Sequence, residues 1–376
     1  VKPNLMMKYY KNFRISDDEN YRMGYINNAP NPKLRWEKTR DVKVALDFGL
    51  WKDRINGIVE AYWRKSKDCV TSEYVPVTTG FFNQSYNTSV LQNNGVEFSL
   101  SVAVLKSKDY NLSVSANVAW NQNKLKKYNS PNTSLALDKY VGYPMGAVFS
   151  GKYEGIDPET GMYKFKLRPD AVTNKDGYLR EPNNYYYYLG TSVAPFTGGF
   201  NLNFSYKNIG LSVGGSYSVK AKMVDNIESP AGYELLSGSK LESIPTPHND
   251  LYRNHLNVKR EVRNRWTPEN RTGVKYPRLI DAYGKKLGLD LTNPTLTTIT
   301  RGALLEDISY LRINTIALSY SLPQRVLERI NFSSAALNLT LNNFFTITKY
   351  SGIDPEVPGA TYPVSRSVTI GLNVGF

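Results

Sequence analysis

The segment from Pro363 to Phe376 alternates apolar with small polar side chains along its length. Successive side chains of a β-strand point to opposite faces, so this segment has one apolar face and one small, polar face. The apolar face carries Val368, Ile370, Leu372, Val374 and Phe376. An alternating strand of about ten residues with an aromatic residue at its end is typical of the closing strand of an outer-membrane β-barrel.

The same two-residue period recurs along the chain. It is clearest in the segments Val96–Val104, Leu112–Trp120, Phe200–Tyr206, Leu211–Val219 and Ala335–Leu341, and weaker in Val42–Leu50 and Arg54–Lys65. The polar positions are rich in Asn, Ser, Thr and Gly, whereas a soluble sheet usually carries more Lys and Glu on its outer face. The pattern therefore predicts an all-β fold, a transmembrane antiparallel β-barrel.

Short and long connections alternate between these segments. The short ones are Trp51–Arg54, Lys106–Asp109, Lys207–Gly210 and Pro323–Ser333. The long ones are Lys67–Asn93, Lys124–Met145, Gly155–Thr197, Lys222–Ala303 and Lys349–Tyr362. In outer-membrane barrels the short turns are periplasmic and the long loops extracellular. We therefore expect a multi-pass protein of a Gram-negative outer membrane, with a periplasmic C-terminus.

Two weaker segments interrupt this scheme. Ala147–Tyr153 and Met162–Leu167 either form an extra hairpin or both lie within one outer loop.

Composition and charge limit the classes of partner that the chain is expected to bind. The net charge is +14, but the Lys and Arg residues are scattered and form no basic helical stripe, which argues against nucleic acid. A solvated surface, or contact with acidic lipopolysaccharide or another acidic partner, accounts better for the charge. Cys69, the single cysteine, permits no internal disulfide, and two histidines leave little scope for metal chemistry.

Several local sequences stand out across nearly the whole chain. They include NPKLRWEKT, NNGVEFSL, GIDPETG, NRWTPEN and EDISYLRINTIALSYSLP, and the segments Leu46–Asp68, Ala194–Tyr217 and Asn342–Val357. Together they resemble the C-terminal half of SusC/RagA-type TonB-dependent transporters. No single motif decides the match, which rests on their order and spacing.

The resemblance implies part of a barrel of about 22 strands, which contains a plug domain with a TonB box and is covered by a SusD-like surface lipoprotein. The implied function is TonB-dependent import of oligosaccharides, with oligopeptide import of the RagA type as the alternative. Residues 1–376 are then the C-terminal part of the barrel. The plug and the remaining strands are expected in another chain or in upstream sequence, because open strand edges are costly in lipid.

Two copies of Gly-Ile-Asp-Pro-Glu each carry a carboxylate pair, Asp157 with Glu159 and Asp354 with Glu356. Such pairs can ligate calcium or serve acid–base hydrolysis. Gly followed by Asp-Pro is more typical of a tight turn, which is the interpretation we prefer. No nucleophile motif accompanies either histidine, so we expect no catalytic residues, no metal site and no cofactor, with calcium as the alternative.

Aromatic residues of the long loops are the candidates for contact with the substrate or the lipoprotein lid, because flat rings stack on sugars and Tyr hydroxyls form hydrogen bonds. The candidates are Tyr185, Tyr186, Tyr187, Tyr188, Trp266, Tyr276 and Tyr283. Packing within the loops is the alternative role for them. Four further tryptophans are assigned to the interfacial girdle of the barrel: Trp36, Trp51, Trp63 and Trp120.

Three other classes of protein compete with this interpretation. A passive porin would need a complete barrel and no lid. An outer-membrane enzyme would need a clustered Ser/His/Asp set on adjacent strands, and the sequence shows none. A soluble all-β binding protein would alternate in the same way but would dissolve without detergent.

Overall fold

A computed structural model of the chain describes residues 9–15, 22–129, 140–159, 161, 163–172, 184–224, 264–274, 301–358 and 362–376. It contains two compact units, Val1–Lys106 with Ser113–Met145, and Ser107–Leu112 with Gly146–Phe376. Both consist mainly of antiparallel strands, which confirms the predicted all-β class. Among the described residues, no helix is long and apolar enough to cross a membrane.

The first unit contains a hairpin and a sheet. Its strands are β1 (Tyr9–Ile15), β2 (Arg22–Asn28), β3 (Lys38–Leu50), β4 (Ile55–Tyr74), β5 (Asn83–Lys106) and β6 (Tyr110–Tyr128). Strands β1 and β2 pair with each other, and the sheet has the order β3-β4-β5-β6. Sequential neighbours therefore lie side by side, as in an up-and-down meander.

The second unit has a sheet of five strands in the order β11-β12-β15-β16-β17, and smaller two-stranded pairs. In chain order its strands are β7 (Ala147–Gly151), β8 (Tyr153–Ile156), β9 (Tyr163–Phe165), β10 (Tyr186–Thr191), β11 (Phe196–Tyr206), β12 (Ile209–Val219), β13 (Lys222–Val224), β14 (Leu305–Asp307), β15 (Tyr310–Ser321), β16 (Ser334–Thr348) and β17 (Ser367–Gly375). One short helix, α1 (Gln324–Arg329), lies between β15 and β16.

The apolar face of each sheet is exposed. On β3, the side chains of Val44 and Leu46 are 70% and 65% exposed, and on β17 those of Ile370 and Leu372 are 73% and 66% exposed. In water a continuous apolar face of this kind would be covered by another layer of the protein. It is the outward face of a membrane barrel wall, with the polar face turned to the lumen.

The predicted short connections are present. Between β3 and β4, three successive residues have left-handed φ angles: Trp51 at 50°, Lys52 at 57° and Asp53 at 61°. The side-chain amide of Asn56 donates to the carbonyl of Asp53 at 2.8 Å and closes this turn. Lys207, between β11 and β12, is also left-handed, with φ 49°. Tight turns of this type hold neighbouring antiparallel strands in register.

Two predicted loops are shorter than expected. Lys67–Asn93 was predicted to be a long loop, but β4 continues to Tyr74 and β5 already begins at Asn83. The paired extension includes Thr71 opposite Tyr86, after irregular pairing around Cys69. Lys124–Met145 is shortened in the same way, because β6 continues to Tyr128. In these extensions polar side chains such as Glu73 and Thr88 are buried beside apolar ones such as Leu125, so the two-residue alternation that marks a membrane strand is lost.

The two ambiguous segments separate into different pairs. Strand β7 pairs with β10, and β8 pairs with β9. The extra hairpin therefore exists for β8 and β9, whereas β7 has a partner in the segment of successive tyrosines.

Candidate functional site

A charged cluster lies on the polar face of the first unit. The ammonium of Lys43 on β3 lies 2.6 Å from a carboxylate oxygen of Glu60 on β4. Asp41 lies two residues before Lys43 on the same face of β3. Its Oδ2 accepts hydrogen bonds from Nε and Nη2 of Arg64 at 3.0 and 2.5 Å. The two ion pairs are neighbours on one face of the β3–β4 pair, because the register places Asp41 opposite Arg64 and Lys43 opposite Tyr62.

The cluster borders a cavity of about 300 Å³. Its lining residues are Lys43, Glu60, Tyr62, Arg64, Asn93, Glu97 and Asn121. Tyr62 can lie across β5 because its neighbour there is Gly95, where a Cβ would overlap the phenol ring. The side-chain oxygen of Asn121 is buried and has no hydrogen-bond partner among the described residues. The cavity thus offers both signs of charge, an aromatic ring and an acceptor to a polar ligand.

The predicted tyrosine run forms a strand edge with alternating orientations. Tyr186, Tyr187 and Tyr188 belong to β10, and Tyr185 directly precedes it. The hydroxyl of Tyr187 donates to the carbonyl of Leu167 at 2.9 Å. Tyr188 is 41% exposed, and its ring centroid lies 5.8 Å from that of Phe149 on β7. Of this run, Tyr188 is the most exposed side chain.

Trp266 occupies a different environment from the tyrosines. Its side chain is buried, with 7% exposure, and its indole Nε1 donates to the carbonyl of Pro158 at 2.9 Å. Pro158 belongs to the first Gly-Ile-Asp-Pro-Glu motif, so the indole joins the segment that contains Trp266 to the turn formed by this motif. This position favours the loop-packing role. Tyr276 and Tyr283 lie outside the described residues.

Both Gly-Ile-Asp-Pro-Glu motifs form the turn that the sequence predicts. In the first, Asp157 Oδ1 accepts the backbone N–H of Glu159 at 2.8 Å. In the second, Asp354 Oδ1 accepts the backbone N–H of Glu356 at 2.9 Å. An Asp that accepts the amide two residues later is the standard Asx-turn. Among the described residues, no group of three His, Cys, Asp or Glu side chains could hold a metal ion.

The second motif is also bound to a strand. Asp354 forms an ion pair with Nη2 of Arg312 on β15 and accepts the backbone N–H of Val364 at 2.9 Å. The Nη1 of Arg312 lies 3.0 Å from Glu356. Burial alone would raise the pKa of Asp354, but the two backbone amides and Arg312 outweigh it and hold the pKa below its ordinary value of 3.8. The carboxylate therefore stays charged and fixes this connection.

The chain is similar to known outer-membrane receptors over most of its length. It is 25% identical over 386 residues to TonB-dependent receptor P26 of Formosa agariphila, a match that covers 93% of this chain and 36% of that protein. It is 25% identical over 373 residues to TonB-dependent receptor SusC of Bacteroides thetaiotaomicron, covering 93% of this chain and 33% of SusC. The structure of the RagAB peptide transporter matches with a TM-score of 0.75 and 26% identity over 99% of this chain and 39% of that one.

The resemblance to SusC/RagA-type TonB-dependent transporters is confirmed. No protein-family model matches the chain. The chain spans 33% to 39% of the length of the curated relatives it matches. Its strands are those of an outer-membrane transporter barrel, and its homologues are transporters and receptors rather than enzymes.

The charged cluster on the polar face of β3 and β4 was missed by sequence analysis. A signal was present, because Asp41, Lys43 and Asp47 alternate with apolar residues along β3. The pattern marks them as one polar face. It does not reveal which residues of β4 and β5 stand opposite, since that depends on the register.

Proposed function

We propose that this chain forms part of the wall of a TonB-dependent outer-membrane importer of oligosaccharides. The observation that carries the importer part of the proposal is the match to the RagAB structure along 99% of the chain. The similarity to SusC along 93% of the chain supports a barrel of the SusC type. The two-faced sheet supports it, because an importer of polar oligomers needs a polar, water-filled interior and an apolar exterior. The charged cluster at Lys43, Glu60, Arg64 and Asp41 lies on the interior face.

The proposed orientation places the short turns in the periplasm and the long connections outside the cell. The C-terminal end of β17 is then periplasmic, at the same end as α1, where the rings of Phe332 and Phe376 meet edge to face at 5.2 Å. The Gly-Ile-Asp-Pro-Glu turns and Tyr188 lie on the opposite, extracellular side. There they face incoming substrate and a SusD-like surface lipoprotein that closes over the mouth.

Oligopeptide import is the second candidate function. It is favoured by the similarity to RagAB, whose structures are those of a peptide transporter and of a peptide importer in open and closed states. The interior cluster also suits a peptide, because Lys43 and Glu60 together offer charge of both signs to chain termini and charged side chains. A sugar polymer would use the same wall through hydroxyl hydrogen bonds.

The energy for import is proposed to come from TonB through a plug domain in the complete protein. A passive porin would need neither the plug nor the lipoprotein. The distinction is measurable, because TonB-coupled uptake stops when the proton gradient is collapsed, whereas diffusion through an open pore continues.

Uptake by cells tests the function directly. The gene is deleted and restored, and the cells are offered labelled oligosaccharide mixtures or labelled oligopeptide mixtures, with and without a functional TonB. We expect gene- and TonB-dependent uptake of oligosaccharides, with a surface lipoprotein co-purifying with the transporter. Dependence confined to oligopeptides would select the second candidate, and uptake unaffected by loss of TonB would overturn energised import.

A further inference from the structure

Four basic side chains lie together on the outward face of the first unit, directly beyond the apolar band. The β3–β4 register pairs Lys38 with Lys67 and Arg40 with Lys65, and the next outward-facing pair is Val42 with Trp63. This register runs without irregularity to Leu50 opposite Ile55, so all these pairs share one face. We name the following four residues the basic patch: Lys38, Arg40, Lys65 and Lys67.

The basic patch concentrates positive charge in a small area. Directly opposite Cβ atoms of an antiparallel pair are about 5 Å apart, and alternate residues of one strand are about 7 Å apart. Like charges placed directly opposite each other destabilise a sheet. Both opposed pairs of the patch carry this repulsion, and an anion bound between them would relieve it.

The carboxylates near the patch are engaged elsewhere. Asp68 lies 3.1 Å from Arg35, and Glu37 accepts the backbone N–H of Val70 at 2.8 Å. Asp41 points to the interior face, where it pairs with Arg64. In the described part of the chain, no residue of the basic patch has an ion-pair partner. Its charge is therefore available to a ligand outside the protein.

The surroundings of the patch indicate the chemistry of that ligand. Below it, toward the β3–β4 turn, the same face continues as an apolar stripe in which Val42 and Val44 are 57% and 70% exposed. Trp63 stands at the boundary between the charged and apolar parts, where tryptophan marks the edge of the hydrocarbon layer. A molecule that satisfies both parts has an anionic head and hydrocarbon chains in continuous contact with it.

We propose that the basic patch binds the phosphate groups of a lipid in the outer leaflet of the outer membrane. Its acyl chains lie along the apolar stripe below. Arg40 donates two parallel hydrogen bonds to one phosphate, and the lysines supply point charges around it. The proposal rests on the orientation stated under Proposed function, which places this end of β3 in the outer leaflet.

Binding of purified lipid A to the complete transporter tests the site. The transporter is extracted in detergent, depleted of lipid and titrated with lipid A, with enzymatically dephosphorylated lipid A, or with inorganic phosphate, and bound molecules are counted by native mass spectrometry. The test variant is Arg40→Gln with Lys65→Gln. Its control is Lys52→Gln with Arg54→Gln, which removes two positive charges from the turn at the opposite end of the same hairpin. Lys38→Gln with Lys67→Gln is a second, independent test variant.

We expect each test variant to weaken lipid A binding about 30-fold at low salt, since each basic residue near an anionic lipid surface contributes about 1 kcal/mol, or about fivefold in affinity, and each variant removes two such residues. The control should bind like the unaltered protein, and dephosphorylated lipid A should bind poorly to all of them. Displacement of lipid A by millimolar inorganic phosphate alone would show a free-phosphate site and overturn the lipid assignment. Equal binding by the test and control variants would overturn the site itself.

This result is separable from the proposed function. Lipid binding is measured in detergent without transport, and uptake is measured in cells. If the uptake experiment contradicts the proposed function but lipid A binding depends on the basic patch, the lipid site stands. If uptake is as proposed but lipid binding does not depend on phosphate, the lipid site is overturned and the proposed function stands.

Discussion

Arg312 and Asp354 form a buried ion pair that joins strand β15 to the connection between β16 and β17. Their exposed fractions are 2% and 5%. The carboxylate also accepts two backbone amides, from Glu356 and Val364. Because both charges are out of water, removal of Arg312 leaves the buried Asp354 carboxylate without its counter-charge.

Replacement of Arg312 by Met should therefore release the connection formed by residues 349–366. Breaking one side of a buried pair costs about 3–5 kcal/mol, so we expect protease cleavage within this segment to become much faster. Limited proteolysis of the purified transporter measures it. Arg168→Met is the matched control, because Arg168 pairs with Asp170 at the surface, where ion pairs contribute little. Equal protease sensitivity in the two variants would show that the buried pair does not anchor the connection.

The same anchor should depend on pH in one direction. The pKa of Asp354 is lower in the folded protein than its ordinary value of 3.8. Its stabilising contribution is therefore complete above that ordinary value and is lost as the pH falls through the lower, folded pKa. Hydrogen exchange of the Val364 amide, followed from pH 6 downward at about one-unit steps, should show protection that persists below 3.8. The Asp354→Asn variant should lack this acid transition, and an unchanged transition in it would assign the effect to another group.

Leu372 and Asn373 test the assignment of the two faces. Leu372 lies on the apolar face of β17 opposite Leu337, and Asn373 lies on the other face opposite Ala336. Leu372→Arg places a charge in lipid and should cost about 2–4 kcal/mol if it lies near the midplane. Asn373→Arg should be mild. Heat-modifiable mobility in gels compares them, and equal effects would contradict the membrane assignment.

Tyr188 and Trp266 should differ in what their loss affects. Tyr188→Ala removes an exposed ring, and stacking is worth about 0.5–1.5 kcal/mol per aromatic pair, so uptake should weaken at normal surface expression. Trp266→Ala removes a buried indole and its hydrogen bond to Pro158, so protease resistance should fall first. Glu159→Gln and Glu356→Gln should leave uptake nearly intact. Loss of uptake in these well-expressed carboxamide variants would transfer the site to the carboxylates.

The sequence predicted the membrane strands well and the polar strand extensions poorly. Val368 to Phe376 could be assigned because one face must be apolar to meet lipid, which leaves a period of two in the sequence. The continuation of β4 beyond Lys67 carries no such signal. There, half-buried Thr71 and Tyr86 face each other, and the buried side chains of Glu73 and Thr88 are polar. The strand character of this ribbon depends on backbone pairing and on hydrogen bonds between polar side chains rather than on a hydrophobic period.

The candidate site shows a similar division. The turn role of Asp157 and Asp354 was predictable, because the geometry of Asp-Pro is local. The burial of Trp266 was not, since it depends on contact with Pro158, which is distant in the chain. The cluster of Lys43 and Glu60 likewise needs the register of two strands. Local chemistry could be inferred from the residues, whereas long-range partners required the fold.

We propose that these strands form part of a transmembrane barrel wall that other strands complete. Among the described residues, β3 pairs only with β4 and β17 only with β16, so each has one open edge. Open edges are untenable in hydrocarbon, because each unpaired amide costs several kcal/mol. Electron cryomicroscopy of the complete protein purified from outer membranes should show both edges paired with further strands and the apolar face against lipid. A sheet closed on itself without further strands, or an apolar face covered by protein in water, would contradict the account.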